Sequence, residues 1–392
     1  MSPLSRATLA SPLALLAFAP PLLAQTTAES AFYTLSAETV VEGLEHPWAL
    51  AFISDEQFLV TERNPGTLRV GTVDGDLSEP IWEAEDLFRY EGDTPRSQAG
   101  LFDIKLHPDF DDNGLVYISY SRETERGAAV VVIRGTVTED ENGVAFTDVE
   151  DVFVMNEDDQ DSSGLHFGGR MAFDPEDAAL FLSIGERRNL ERAQDATDQA
   201  GAILRMTEDG EAHPDNPTFE TDEENGDSDP YLYTIGHRNI QALAVHPTTN
   251  ELWAVDHGPE GGDEINLVIA GNNYGWPFLT GGVDYSGAPI GVGLGMEGMI
   301  SPVHVFEQTV APSGLLFVPE ATTFGEWTGD MLIGGLITEG IVRVRLEGGA
   351  VADEEAIELG HRVRDLRIGP DGDFWLVTDE DNGRVMRLTP QE

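Results

Sequence analysis

Apolar residues along this chain come in short runs separated by polar turns, and the runs recur as one phrase. Its first statement is Pro47-Trp48-Ala49-Leu50-Ala51-Phe52, a turn at Ser54-Asp55-Glu56, then Phe58-Leu59-Val60-Thr61-Glu62-Arg63 and Gly66-Thr67-Leu68-Arg69-Val70. Short runs rich in β-branched and aromatic residues and bounded by turn residues are strands. The phrase returns at Gly100-Leu101-Phe102-Asp103-Ile104 with 115–120, and at Arg170-Met171-Ala172-Phe173-Asp174-Pro175 with 180–185. It returns again at 241–247 with 251–256, at 313–317 with 330–334 and 341–344, and at 363–372 with 374–379 and 383–388. Six copies at spacings of roughly fifty to seventy residues match propeller blades carrying loop insertions. The expected fold is all-β, a six-bladed β-propeller with four-stranded antiparallel blades. The alternating stretch over 31–44 is expected to complete the last blade. A two-sheet sandwich would leave the recurring phrase unexplained.

Between copies lie acidic stretches at 156–163 and 220–229, expected to be solvated loops. Helix is scarce; residues 190–206 could hold a turn or two. An apolar run over 9–23, preceded by Arg6 and followed by Ala24 and Ala28, reads as an export signal. Cleavage after Ala24 divides the chain into a leader, 1–24, and a propeller domain, 25–392. The run is short and proline-broken for a retained anchor, and no later stretch could span a bilayer. The expected location is periplasmic or secreted.

Charge narrows the partners. The chain carries 72 acidic and 22 basic residues, for a net charge of −50. No basic stripe exists to neutralise phosphates, which argues against nucleic acid. Such a charge suits a high-salt, halophilic setting, where ions screen self-repulsion; a GC-rich genome is the other source of an acidic, lysine-poor chain. With no cysteine, neither disulfides nor thiol ligands are available.

Propellers place functional residues on loops at one mouth of the channel, so polar residues just before an inner strand are the candidates. Gln98 precedes blade 2. His166 precedes blade 3, where the repeat needs no imidazole, and a neutral imidazole can accept an alcohol proton. Glu186, at the far end of the next strand, could orient it. Arg238-Asn239 before blade 4 could hold an anionic group or equally serve a structural ion pair. Arg362 and Arg364 before blade 6 fall on one side by strand alternation and suit a polycarboxylate. The stretch Gly258-Pro259-Glu260-Gly261-Gly262-Asp263-Glu264 offers carboxylates and carbonyls without clustered His, favouring calcium over zinc, though without EF-hand spacing.

Taken together these phrases resemble the soluble pyrroloquinoline quinone (PQQ) dependent glucose and aldose sugar dehydrogenases. The resemblance rests on Pro47-Trp48-Ala49-Leu50-Ala51-Phe52, Gly100-Leu101-Phe102-Asp103-Ile104, His166-Phe167-Gly168-Gly169-Arg170, Gly236-His237-Arg238-Asn239, the stretch 258–267, Asn273-Tyr274-Gly275-Trp276-Pro277 and Arg362-Val363-Arg364-Asp365. It implies that His166 is the catalytic base, Glu186 its acidic partner and Arg238 a cation near the reduced carbonyl. Cofactor contacts implied are Gln98, His166, Arg238, Asn239, Tyr285, Arg362 and Arg364. For calcium it implies either the Gly258 and Pro259 carbonyls, as in the glucose branch, or Glu264 and Tyr274, as in the aldose branch, to which this chain is closer. Two departures stand out. Ile337 follows Gly334-Gly335-Leu336 where the family often has a cation, leaving backbone groups of Gly335 and Leu336 as its substitute. Leu165 replaces an acidic sugar contact of the glucose branch, which favours a broad aldose range.

The expected activity is PQQ- and calcium-dependent oxidation of the anomeric hydroxyl of an aldose to a lactone, with electrons passed to an external acceptor. The alternatives are a calcium-dependent lactonase and a non-catalytic secreted propeller that binds carbohydrate or protein.

Overall fold

The computed structural model describes residues 25–92, 97–141, 143–221 and 226–391. The expected leader and Arg96 lie outside the described residues. Six antiparallel sheets follow one another along the chain. Blade 1 is Pro47–Phe52, Gln57–Glu62, Thr67–Thr72 and Trp82–Glu83. Blade 2 is Leu101–Leu106, Leu115–Thr124, Gly127–Asp140 and Gly143–Val154. Blade 3 is Met171–Phe173, Leu180–Ile184, Ala202–Met206 and Leu232–Ile235. Blade 4 is Ile240–Val245, Leu252–Asp256, Glu264–Val268 and His304–Val305. Blade 5 is Pro312–Phe317, Met331–Gly335, Gly340–Glu347 and Ala350–Glu358.

Blade 6 closes the ring. Val363–Ile368, Phe374–Thr378 and Gly383–Pro390 come from the C-terminal end, and Thr34–Leu44 pairs with the last of them, Leu35 opposite Pro390 and Leu44 opposite Gly383. This joins the two ends of the chain, as the alternating stretch leads one to expect. Gln25–Glu29 then adds a fifth strand outside it, which nothing in the repeat foreshadows. The inner strands contact their neighbours around the ring, so each is covered on both faces. Leu101, Phe102 and Ile104 are buried accordingly, as are Leu50, Leu315 and Leu366. One apolar cluster runs through blades 1 to 3 and another through blades 5 and 6. Interleaved layers of this kind supply most of the stability, about 25 cal/mol per Å² of apolar surface removed from water.

The inner strands of five blades share an irregularity. Register slips between Pro47 and Ala49, Leu101 and Ile104, Ile240 and Ala242, Pro312 and Leu315, and Val363 and Asp365. A bulge gives one strand an extra residue and re-aims its side chain. The bulged positions include Trp48, Asp103, Gln241 and Arg364, so the distortion sits where each inner strand begins. It also revises the expectation for Arg362 and Arg364. Arg362 lies before the strand and Arg364 is in the bulge, so alternation does not relate them.

The remaining expectations are met in part. Residues 190–206 begin with a 3₁₀ turn, Leu190–Gln194, and end as a strand. The acidic stretches are more than solvated loops. Asn156 Nδ2 donates to Asp229 Oδ2 at 2.7 Å, joining one to the other, and Asp161 pairs with Arg192. Burial and the neighbouring Asp198 push Asp159 up to about 6.

Candidate active site

The turn before blade 3 is held in an uncommon backbone shape. His166 has φ 52°, a region disfavoured for a side chain-bearing residue. Its N–H donates to Gln98 Oε1 at 2.7 Å, while the Gln98 N–H donates to Gly164 O at 2.7 Å. Gln98 thus clasps the turn from both ends. On the other side, a Cβ on Gly185 would lie 2.3 Å from His166 O. Only glycine there lets the loop carrying Glu186 approach so closely.

That approach creates a buried dyad. His166 Nδ1 pairs with Glu186 Oε2, with side chains 6% and 1% exposed. The carboxylate accepts a hydrogen bond from Nδ1–H, and Nε2 has no partner among the described residues, so its lone pair is open to a substrate hydroxyl. Burial, together with the charges of Arg238 and Arg188, lowers His166 to about 4 against the pull of Glu186. The imidazole is therefore neutral at pH 7, the form a general base needs.

Arg238 and Asn239 are pinned beside the dyad. Their N–H groups donate to Asp256 Oδ2 at 2.9 Å and Oδ1 at 2.6 Å, and Arg238 O accepts from Glu186 N at 2.9 Å. The Arg238 guanidinium donates to His257 O at 3.0 Å and lies 5.4 Å from the Trp276 ring centroid. Asn239 Oδ1 accepts from Gly168 N at 3.1 Å. Gln98, His166, Glu186, Arg238 and Asn239, drawn from three blades, form one contiguous group.

Arg362 and Arg364 converge through Asp379, at 3.5 and 2.5 Å. Arg63 reaches the other oxygen of the same carboxylate at 3.5 Å, and His46 Nδ1 is 2.7 Å from it. Arg364 Nε is buried with no partner among the described residues, a donor left for an anion. Gln241 ties this cluster to the first, since Arg364 donates to its Oε1 at 3.0 Å and its Nε2 donates to Gly168 O at 2.8 Å. Neither Asp379, Gln241 nor Arg63 was singled out from the sequence. A signal existed in the acids that close the second run of four copies, Glu62, Glu186, Asp256 and Asp379.

Below these groups Arg170 crosses the channel. It meets Asp365 at 3.0 Å and Asp103 at 3.4 Å, donates to Gln241 O and Arg364 O at 2.7 Å each, and lies 3.9 Å from the Trp48 ring centroid. It ties five blades at the axis and takes the mouth residues' backbone as partners. A buried ion of this kind is tolerable only when fully paired.

Other expected residues are placed differently. Leu336 donates its N–H to Ala311 O and accepts from Arg362 at 2.9 Å. Its backbone therefore holds an arginine, and Gly335 lies within strand pairing opposite Pro312 and Gly340. Ile337 is exposed. Tyr285 is 63% exposed on the 278–299 loop and is not brought into the buried group.

Beside Asp256 lies the oxygen-rich stretch. Glu264 pairs across the sheet with Asp256, and burial, with Asp256 and Asp263 nearby, pushes it up to about 8. Among the described residues, the one hydrogen bond to its carboxylate is from Asn266 Nδ2 at 3.1 Å, and Asn266 Oδ1 is buried without a partner. The Tyr274 hydroxyl is consumed by Leu267 O and Ile269 N, which leaves its backbone carbonyl as the only ligand it could offer. No hydrogen bond reaches the Gly258 or Pro259 carbonyl among the described residues, while Gly258 N is held by Asp263 at 2.9 Å. An under-compensated carboxylate among free oxygens fits a hard cation. No three His, Asp or Glu side chains among the described residues form a metal cage, so such an ion would draw on carbonyls too.

A propeller with a histidine–carboxylate dyad and a cluster of arginines at its mouth is the arrangement of an enzyme that removes a proton beside a bound anion. The Glucose / Sorbosone dehydrogenase family profile matches residues 44–387, and the chain belongs to that family. It is 34% identical to aldose sugar dehydrogenase YliI of Escherichia coli, over 91% of this chain and 94% of the relative. It superimposes with TM-score 0.82 on the apo-form crystal structure of the soluble aldose sugar dehydrogenase of that organism, at 33% identity, covering 91% and 100% of the two chains. With the PQQ-bound aldose sugar dehydrogenase of Streptomyces coelicolor the TM-score is 0.71 at 28% identity, covering 91% and 98%. No helix among the described residues is long and apolar enough to cross a membrane.

Proposed function

We propose that this protein is an exported, PQQ- and calcium-dependent aldose dehydrogenase that oxidises the anomeric hydroxyl to a lactone. The observation that carries this reading is the buried His166–Glu186 pair with its Nε2 open beside Arg238 and Asn239. His166 Nε2 takes the hydroxyl proton while the anomeric hydride departs, and Glu186 stabilises the imidazolium that forms. Arg238 supplies fixed positive charge where negative charge accumulates. Arg362 and Arg364 fit the carboxylates of the cofactor, and Glu264 with nearby carbonyls fits calcium. When bound, PQQ accepts the hydride and calcium polarises its carbonyls. The electrons then leave to an external acceptor. A wide aldose range is part of the proposal, since Leu165 presents no charged group to one sugar.

Reconstitution tests it. Purified protein with PQQ and Ca²⁺ should reduce an artificial dye when given aldoses, and His166→Ala should not. If wild-type protein binds no PQQ in a fluorescence titration and reduces no dye, the proposal fails.

A further inference from the structure

Among the described residues, every arginine except Arg89, Arg188 and Arg238 has a carboxylate oxygen within 4.0 Å. Arg89 donates to the carbonyls of Asn64 and Pro65, and Arg238 to that of His257. The Arg188 side chain has no described partner. In a chain with 72 acidic residues, a guanidinium without a carboxylate is the exception.

Its place makes the exception informative. Arg188 is exposed, with φ 64°, and its N–H donates to Glu186 Oε2 at 3.0 Å, the same oxygen that pairs with His166. The backbone of Arg188 is thus locked to the dyad while its side chain is free. Its charge acts on His166 and on Asp284, in the 278–299 loop. The guanidinium is therefore within electrostatic reach of both the proton acceptor and that loop. Arg362, with a side chain 43% exposed, is a further accessible cation of the mouth. The cofactor carboxylates already have Arg362 and the unpaired Nε of Arg364.

Resting on the dehydrogenase reading above, we infer that Arg188 gives the site a preference, within that wide aldose range, for anionic aldoses, the hexuronic acids. Their C6 carboxylate is carried on C5, separated from the anomeric carbon only by the ring oxygen, so a cation beside the proton acceptor can hold it while the anomeric carbon reacts. An arginine fork pairs with a carboxylate through two parallel hydrogen bonds. The cation also offsets locally the repulsion that a net charge of −50 exerts on an anionic substrate. The chemistry is unchanged. With bound quinone as the two-electron acceptor, the anomeric hydride would be lost to it and the hydroxyl proton to His166, giving a lactone that keeps its carboxylate.

The test compares D-glucuronate with D-glucose, and D-galacturonate with D-galactose, on the reconstituted protein. The uronates should show the higher kcat/KM, and Arg188→Gln should cut their advantage about ten- to a hundredfold, with Arg188→Lys retaining part of it. Calorimetric titration with D-glucuronate should show binding that Arg188→Gln loses. Equal kcat/KM for acid and neutral sugar in the wild type would overturn the inference. So would an Arg188→Gln variant that weakens PQQ binding and leaves sugar discrimination intact. If the wild type binds no PQQ, the dehydrogenase reading falls separately, and the titration alone decides the Arg188 contact.

Discussion

Two buried histidine–carboxylate pairs stand at the ends of adjacent blades, His166 with Glu186 in blade 3 and His237 with Asp256 in blade 4. Both acids close the second strand of their blade, yet the pairs are put to different uses. Asp256 spends its oxygens on the N–H groups of Arg238 and Asn239 and keeps His237 Nδ1 at 3.6 Å. His237 itself is enclosed, with Nε2 2.9 Å from Thr234 Oγ1 and its ring stacked on Tyr274 at 4.7 Å. Glu186 takes the imidazole directly and leaves Nε2 free. The difference shows that a buried His–acid pair is not in itself a catalytic signature. What distinguishes them is which ring nitrogen remains without a partner.

The comparison can be broken by mutation. The largest effect expected is on His166→Ala, which should lose on the order of 10²–10⁴ in kcat while still binding PQQ in a fluorescence titration. Glu186→Gln should follow, with a loss of about a hundredfold, because an amide neither selects the tautomer nor stabilises the cation as a carboxylate does. Asp256→Ala should act on stability instead. It leaves two buried N–H groups unsatisfied, at a cost of about 2–4 kcal/mol, read as a lower denaturant midpoint. A catalytic loss from Asp256→Ala as large as that from Glu186→Gln, with an unchanged midpoint, would erase the distinction.

Acid–base behaviour sharpens it further. Since the active His166 is the neutral form and its value is lowered to about 4, kcat/KM should hold through pH 6.5 and fall only near pH 4. Glu264 gives the smallest effect and the opposite sign. Its folded value is raised to about 8, so the proton it keeps stabilises the calcium-free protein most below the ordinary carboxylate range, and this is lost as pH rises towards 8. If Glu264 holds calcium as proposed, the ion binds its ionised form, so stabilisation by added Ca²⁺, seen as a shift in Tm, should grow between pH 6 and 9 and shrink in Glu264→Gln.

Much of this was legible in the chain. The recurring phrase located the inner strands of all six blades, because strands buried on both faces need apolar runs bounded by turns. His166 stood out as polar where the repeat wants no polar residue. The partners of Arg362 and Arg364 were not legible. Asp379 is an acid among 72 acidic residues, and its arginines come from blades 1 and 6, brought together only when the ring closes. Gln241 reads as an ordinary strand residue until the bulge at Ile240–Ala242 turns it towards Arg364. Leu336 was assigned a role for its backbone, but that backbone already holds Arg362.

The sequence by itself determined the number of blades, the strand that ties the ends together and the residue types offered at each blade start. These follow from local periodicity and turn chemistry, which neighbouring residues decide among themselves. Only the tertiary structure decided which of those residues meet. Closure brings six distant segments to one axis, and bulges there re-aim side chains against strand alternation. Among the described residues, that geometry left His166 Nε2 without a partner but enclosed the whole His237 ring, made Asp379 the meeting point of three arginines, and left Arg188 without a carboxylate at the mouth.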